Sequence, residues 1–164
     1  MGILQASYVI HLLPPFHNNF SKRIIKSPKL YFYDTGLSCA LLGINSHAEL
    51  ANHSSRGALF ENYIIIELTK KRFNKGLRSN LFYWRDVSGH EIDVVADHGS
   101  YANAIELKSG MTIIPDFFKG LSFWQELTKY KNAYVVYGGE ETLKRNNGIE
   151  VLPWNQLQNL KNIA

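Results

Sequence analysis

One cysteine, Cys39, and two methionines hold all the sulfur of this 164-residue chain. An internal disulfide is therefore excluded, and the composition fits a reducing compartment. No uninterrupted apolar run approaches the length of a membrane span. No basic segment followed by an apolar stretch and a cleavage site opens the chain, so no signal peptide is read and the expected location is cytoplasmic. A Gly-rich loop ending in Lys-Ser or Lys-Thr is also missing, which removes ATP hydrolysis from what these residues do alone. Internal repeats, low-complexity tracts and linkers are absent as well.

What is present is the composition of an ordinary folded domain. An apolar fraction of 45% with 20% charged residues argues against disorder, and the length supports one sizeable core. The net charge of +4 is unevenly spread: residues 1–82 carry ten Lys and Arg against four Asp and Glu, and residues 83–164 eight against ten. A basic half beside an acidic site suits a protein that holds a polyanion, and solvated helix and loop faces give the same counts. Lys22, Arg23, Lys26 and Lys29 lie close to Tyr31, Phe32 and Tyr33. Cations among aromatics hold phosphates and stack bases, while the three aromatics also read as a strand buried on one side.

Local patterns outline the elements. Tyr8 to Leu13 reads as a strand stopped by Pro14 and Pro15, with further short strands at Arg23–Ile25 and Leu30–Tyr33. Asp34 or Thr35 caps a helix over Leu37–Leu42, and Gly43 ends it. Residues 45–55 are polar and read as a loop; His47 and His53, without cysteines, make a poor zinc signal. Ser55 to Phe73 carries apolar residues at steps of three and four and ends in Lys70, Lys71 and Arg72, the pattern of a long helix. Leu81–Arg85 is a strand. Pro115-Asp116 opens an amphipathic helix with Phe117, Leu121, Trp124 and Leu127 on one side. The apolar run Ala133–Tyr137 suits a strand covered on both faces. Ile149–Leu152 is a last short strand, and Asn155–Leu160 a final helix. Helix, three strands, helix and strand in this order describe an α/β domain: a mixed central sheet flanked by helices.

The stretch from Gly89 to Lys108 carries the chemistry. Ile92 to Val95 reads as a strand running into the Asp97-His98-Gly99 turn, and Tyr101 to Leu107 as its return. Strand alternation puts Glu106 and Lys108 on one face and Glu91 with Asp93 on one face. Pairing as a hairpin brings Asp93 opposite Glu106, with carboxylates expected within about 4–5 Å of each other, close enough to share an ion. Two carboxylates so placed raise each other's pKa, and a divalent cation relieves the conflict. Mg²⁺ prefers one or two carboxylates plus carbonyl oxygen and water, and the carbonyl of Leu107 lies between the two charged side chains. Lys108 then stands beside the metal-bound water. Arg85 is placed to pair with Glu91 or Asp86, or to contact phosphate.

This arrangement resembles the PD-(D/E)XK nuclease superfamily, whose core hairpin carries Asp and then Glu-x-Lys. Much of the chain is similar to one branch, the uncharacterised C-terminal domain that follows an AAA-type ATPase module. The matching pieces run in order: Lys26-Ser27-Pro28-Lys29, Tyr31-Phe32, Asp34-Thr35-Gly36-Leu37, Gly57, Phe60-Glu61-Asn62, Tyr83-Trp84-Arg85-Asp86, Gly89-His90-Glu91-Ile92-Asp93, Ile105-Glu106-Leu107-Lys108 and Leu152-Pro153-Trp154. The resemblance implies a restriction-endonuclease-like core (helix-strand-strand-strand-helix-strand) over residues 56–164. Residues 1–55 form an N-terminal extension holding the end of a winged-helix-like region and a short helix. The chain is then a fragment or truncated product whose ATPase module lies elsewhere.

The resemblance also assigns roles. Asp93 and Glu106 are the expected ligands of Mg²⁺ or Mn²⁺, Lys108 assists the water, and Glu61, on the first core helix, tunes or completes the metal site. Lys22, Arg23, Lys26, Lys29 and Arg85 are the expected nucleic-acid contacts. The leading expectation is a metal-dependent nuclease acting on DNA or RNA. The alternatives are a non-catalytic module that binds nucleic acid or protein for the ATPase, and a structural or self-associating domain.

Overall fold

The computed structural model describes residues 2–17, 24–160 and 163. Its centre is a six-stranded mixed sheet with helices on both faces. The strands are β3 (Leu81–Arg85), β4 (Glu91–Asp97), β5 (Ala102–Lys108), β6 (Ala133–Tyr137), β7 (Leu143–Lys144) and β8 (Ile149–Pro153), in spatial order β3-β4-β5-β6-β8-β7. β3, β4 and β5 form an antiparallel meander, whereas β5, β6 and β8 run parallel. The fold is α/β, as the order of elements predicts.

Every residue of β6 is buried, as befits an apolar strand between two covered faces. One face packs on helix α4 (Arg56–Phe73) through Ile64, Ile65, Ile66 and Leu68, which meet Val94, Ile105, Leu107 and Val136 of the sheet. The other face packs on helix α5 (Lys119–Thr128), where Leu121 and Trp124 meet Trp84, Ile92, Val95 and Val135. The fully buried indoles of Trp84 and Trp124 stand edge to face, with centroids 5.4 Å apart. Aromatic quadrupoles favour this geometry over a flat sandwich.

The N-terminal residues are built into this body. Helix α1 (Gly2–Ala6) leads into strand β1 (Ile10–Leu13), which pairs antiparallel with β2 (Lys29–Phe32). Leu13 and Tyr31 belong to the same core cluster as Ile64 and Val94. The chain then runs along the outer edge of β3. Tyr83 N–H donates to Pro14 O at 3.0 Å, Phe16 N–H to Tyr83 O at 2.6 Å and Ile25 N–H to Arg85 O at 2.9 Å. An edge that would otherwise offer unpaired backbone groups is thereby closed.

The elements depart from the sequence pattern in several places. Helix α2 (Thr35–Leu41) is capped by Asp34, whose carboxylate accepts from Gly36 and Leu37 N–H. Residues 47–52 form helix α3 (His47–Asn52) instead of loop, because the Ser46 hydroxyl accepts from Glu49 N–H and Glu49 reaches back to Asn45 N–H. That reciprocal capping supplies partners for amides a polar loop would leave to water. The first strand starts at Ile10, since Tyr8 has a φ of 56°, outside the strand region. The last helix is a 3₁₀ segment, Trp154–Asn159. Ile24 makes one bridge to Asp86 in place of a strand, and residues 18–23 lie outside those described.

A candidate acidic site at a strand bulge

Asp93 sits at a break in the sheet. Between the pairs Phe82–Val95 and Trp84–Ile92, β3 advances two residues while β4 advances three. The extra residue falls at Asp93–Val94 and interrupts simple alternation: Ile92 packs toward α5, yet Val94 packs toward α4. A bulge bends its strand and re-aims a side chain. The pairing of β4 with β5 ends at Val94–Ile105. Beyond it, Leu107 N–H donates to Asp93 Oδ2 at 2.8 Å, so a side chain takes over from the ladder. Leu107 thus meets Asp93 through its N–H.

Glu106, on β5, is 6% exposed and ion-paired to Lys108 Nζ at 3.0 Å. Gly120 of α5 lies directly against it. A Cβ added there would overlap Glu106 Oε1 and come within 3.1 Å of Glu91 O. The missing side chain is what admits the carboxylate. Asp93, Glu106 and Lys108 line one cavity of about 560 Å³, together with Glu91, His90, Asp116, Lys119 and Phe123.

The charge balance is strained around Asp93. Burial, then the charges of Glu106 and Glu61, raise its pKa well above the usual carboxylate range, against the opposing pull of the Leu107 N–H and Lys29. Burial would lower the pKa of Lys108, but Glu106 and Asp93 outweigh it and hold the ammonium protonated. Lys108 is thus a hydrogen-bond donor in this site.

Glu61 does not line that cavity. It stands on α4, where its Oε1 accepts from Tyr31 OH at 2.5 Å and pairs with Lys29 Nζ at 2.9 Å. It remains near enough for its charge to act on Asp93. Lys29 also pairs with Glu91 at 2.5 Å. Of the residues expected to touch nucleic acid, Lys26 is exposed. Arg85 is half exposed, with Nε 3.5 Å from Glu91. Lys29 is committed to carboxylates, and Lys22 and Arg23 lie outside the described residues.

Three participants escaped the sequence reading. Tyr31 looked like a strand residue, and its hydroxyl role becomes visible only once β2 meets α4. Gly120 left a faint signal, an isolated glycine inside an amphipathic helix. His90 is held by Asp86, which is 1% exposed, with Nδ1 to Oδ2 at 3.0 Å, and stacks on Phe123 with centroids 3.8 Å apart. Its signal was the four-residue spacing from Asp86 across a turn.

Among the described residues, no group of three or more His, Cys, Asp and Glu is drawn together as a ready metal cage. Of the carboxylates lining the cavity, Glu91 pairs with Lys29 and Asp116 with Lys119, and the expected ligands are the set Asp93 and Glu106, the latter paired with Lys108. That set fits a hard ion that keeps most of its ligands as water or substrate oxygen, the habit of Mg²⁺.

An α/β domain with a carboxylate and lysine cluster at a strand bulge is the class that fold and site define. Residues 56–157 match the family described as Domain of unknown function (DUF4143). The chain belongs to that family, which is typically found at the C-terminus of AAA-ATPase-like proteins. Residues 1–48 match a second family, Domain of unknown function (DUF8612). The chain is similar to Uncharacterized protein Mb2031c of Mycobacterium bovis and Uncharacterized protein Rv2008c of Mycobacterium tuberculosis, each 27% identical over 158 residues. Those alignments cover 96% of this chain and 34% of each relative, so the chain spans about a third of their length. No solved structure matches the chain. Among the described residues no helix is long and apolar enough to cross a membrane.

Proposed function

We propose that the domain is a nuclease of the PD-(D/E)XK type, with a restriction-endonuclease-like core over residues 56–164 and an N-terminal extension over residues 1–55. It hydrolyses phosphodiesters of nucleic acid with Mg²⁺ or Mn²⁺ held on Asp93 and Glu106. The observation that carries the reading is the raised pKa of Asp93 beside Glu106 and Lys108 in one open cavity. Like carboxylates withdrawn from solvent are costly even where Lys108 and Lys29 offset part of their charge, and a strand bulge that brings them together marks a functional position.

When bound, such an ion polarises a phosphoryl oxygen and makes its water a stronger nucleophile. The chain's own residues do the rest. Leu107 N–H orients the Asp93 carboxylate, and Lys108 orients that of Glu106. The Lys108 ammonium donates to the phosphate oxygens as a water oxygen bonds to phosphorus and the ester P–O bond breaks. The attacking water gives up one proton to solvent, and the departing alkoxide takes one from solvent. Lys26 and Arg85, with Lys22 and Arg23, hold flanking phosphates. The expected partner is the ATPase-like module, the expected location is the cytoplasm, and self-association is a further expectation.

One observation favours the alternative of a non-catalytic nucleic-acid- or protein-binding module. Lys29 already neutralises part of the acidic cluster without any metal. The test is cleavage of labelled single- and double-stranded DNA and RNA by the parent, Asp93→Ala and Lys108→Ala, each with Mg²⁺, Mn²⁺ or Ca²⁺. Cleavage by the parent with Mg²⁺ or Mn²⁺, abolished in both variants, supports the nuclease. Ion binding by the parent without any cleavage, together with an altered oligonucleotide affinity in Lys108→Ala, gives the site to recognition instead.

A further inference from the structure

Lys29 is held in place by backbone as well as side chain. It opens β2, and Asn62, which is 6% exposed on α4, clamps that strand: Phe32 N–H donates to Asn62 Oδ1 at 2.7 Å and Asn62 Nδ2 to Phe32 O at 2.9 Å. On the other side, Tyr83 OH donates to Ser27 O, two residues before Lys29. The ammonium so positioned meets Glu61 Oε1 at 2.9 Å and Glu91 Oε1 at 2.5 Å, and lies 5.4 Å from the centroid of the Tyr83 ring. Lys29, Glu61 and Glu91 are about three-quarters withdrawn from solvent, at 24%, 24% and 28% exposure, and the half-exposed Arg85 approaches Glu91 from outside. An ammonium directs three donors; here two go to carboxylates, and an aromatic face stands nearby.

Resting on the metal-dependent reading above, we propose that the Lys29 ammonium is an internal cation that occupies the Glu61–Glu91 side of the acidic cluster and limits the site to one divalent ion, held on Asp93 and Glu106. Beside Asp93 stand two further carboxylates, Glu61 and Glu91, that share Lys29, and the charge of Glu61 acts on Asp93. A fixed positive charge between these two repels a second ion and takes up the oxygens it needs. The ammonium is also the less demanding occupant. It brings one charge, sheds water once on folding, and stays because β2 is anchored at Asn62 and Ser27. Lys29 is therefore a specificity-determining residue for ion number, supplied by the N-terminal segment to a site whose acidic groups come from α4, β4 and β5.

The experiment is Mn²⁺ titration of the full chain by calorimetry and electron paramagnetic resonance, comparing the parent with Lys29→Met, Lys29→Arg, and Lys29→Met combined with Glu61→Gln and Glu91→Gln. The parent and Lys29→Arg should each bind one ion. Lys29→Met should bind two, or bind one at least tenfold more tightly. The triple variant should return to the parental stoichiometry and affinity. Melting curves with and without Mn²⁺ guard against a folding defect, since Lys29→Met should melt lower than the parent without ions and recover as Mn²⁺ is added. A parent that binds two ions, or a folded Lys29→Met that binds one with parental affinity, overturns the internal-cation role and leaves the metal site standing. If neither parent nor variant binds Mn²⁺, the metal reading is lost and the ion limit with it.

Discussion

Leu107 donates its backbone N–H to the Asp93 carboxylate at 2.8 Å, where β4 and β5 stop pairing. The strand pair continues through a side chain instead of a carbonyl. Asp93 is therefore both the link that holds the hairpin end and the most electrostatically stressed carboxyl of the cavity.

Replacing Asp93 with Asn separates these two roles. The amide oxygen still accepts from Leu107, and the charge is gone. Because the folded pKa of Asp93 lies above its unfolded value, its contribution to stability is present at low pH and is lost as pH rises through the carboxylate range toward the folded pKa. Asp93→Asn should accordingly melt above the parent at pH 7.5, with the difference vanishing near pH 4. In a domain of this size about 1 kcal/mol moves the melting temperature by roughly 2–4 °C, so differential scanning calorimetry across pH 4–8 reads the effect. An equal gap at all pH values would remove the charge explanation.

Gly120→Ala tests the close approach of α5 to Glu106. Overpacking of this kind costs about 1–3 kcal/mol, measurable by urea unfolding. The cost should shrink when Glu106→Ala is added, because the overlapping carboxylate is then absent. Additive costs in that double-mutant cycle would show that the Glu106 carboxylate is not what excludes a side chain from position 120.

Asn62→Ala removes both bonds to Phe32 and leaves partly buried backbone groups unpaired. Such groups cost about 1–3 kcal/mol each when orphaned. The expected outcome is lower stability together with faster amide exchange at Phe32. Unchanged exchange there would mean that β2 is held by its pairing with β1 alone.

Lys108→Ala should retain Mn²⁺ affinity within a few fold and lose about 10²–10³ in cleavage rate, the usual effect of removing one donor aimed at developing charge. Single-turnover cleavage and ion titration on the same preparation separate the two quantities. A variant that cleaves at the parental rate would take Lys108 out of the chemistry.

Changing Lys22, Arg23 and Lys26 together to Ala should weaken oligonucleotide binding and flatten its salt dependence, by about 0.9 in log–log slope for each duplex phosphate no longer neutralised. Fluorescence anisotropy between 50 and 200 mM salt provides the slope. Salt-insensitive binding by the parent would favour a protein partner.

How much of this was legible beforehand differs by element. The long helix α4, the buried strand β6 and the hairpin β4–β5 follow from apolar periodicity, which depends on local sequence. The bulge does not, because Glu91, Ile92, Asp93 and Val94 alternate faultlessly in sequence and only the pairing with β3 forces an extra residue. Helix α3 was missed because its stability comes from the Ser46–Glu49 caps instead of an apolar stripe. Lys29 looked like one more cation in a basic run. Its partners Glu61 and Glu91 are 32 and 62 residues away in the chain, and no local pattern links them.

The buried Trp84–Trp124 pair has an optical consequence. Indoles with centroids 5.4 Å apart and planes 67° apart exchange excitation and give a coupled near-ultraviolet dichroism signal that depends on their separation and mutual tilt. Trp84 belongs to β3 and Trp124 to α5, the helix whose Gly120 faces Glu106. Trp154, the third indole, is 40% exposed beside Tyr63, and its emission is accessible to a soluble quencher. Any shift of α5 against the sheet as the cavity fills is thus written into the dichroism of the buried pair, free of added dye and separable from the quenchable signal of Trp154.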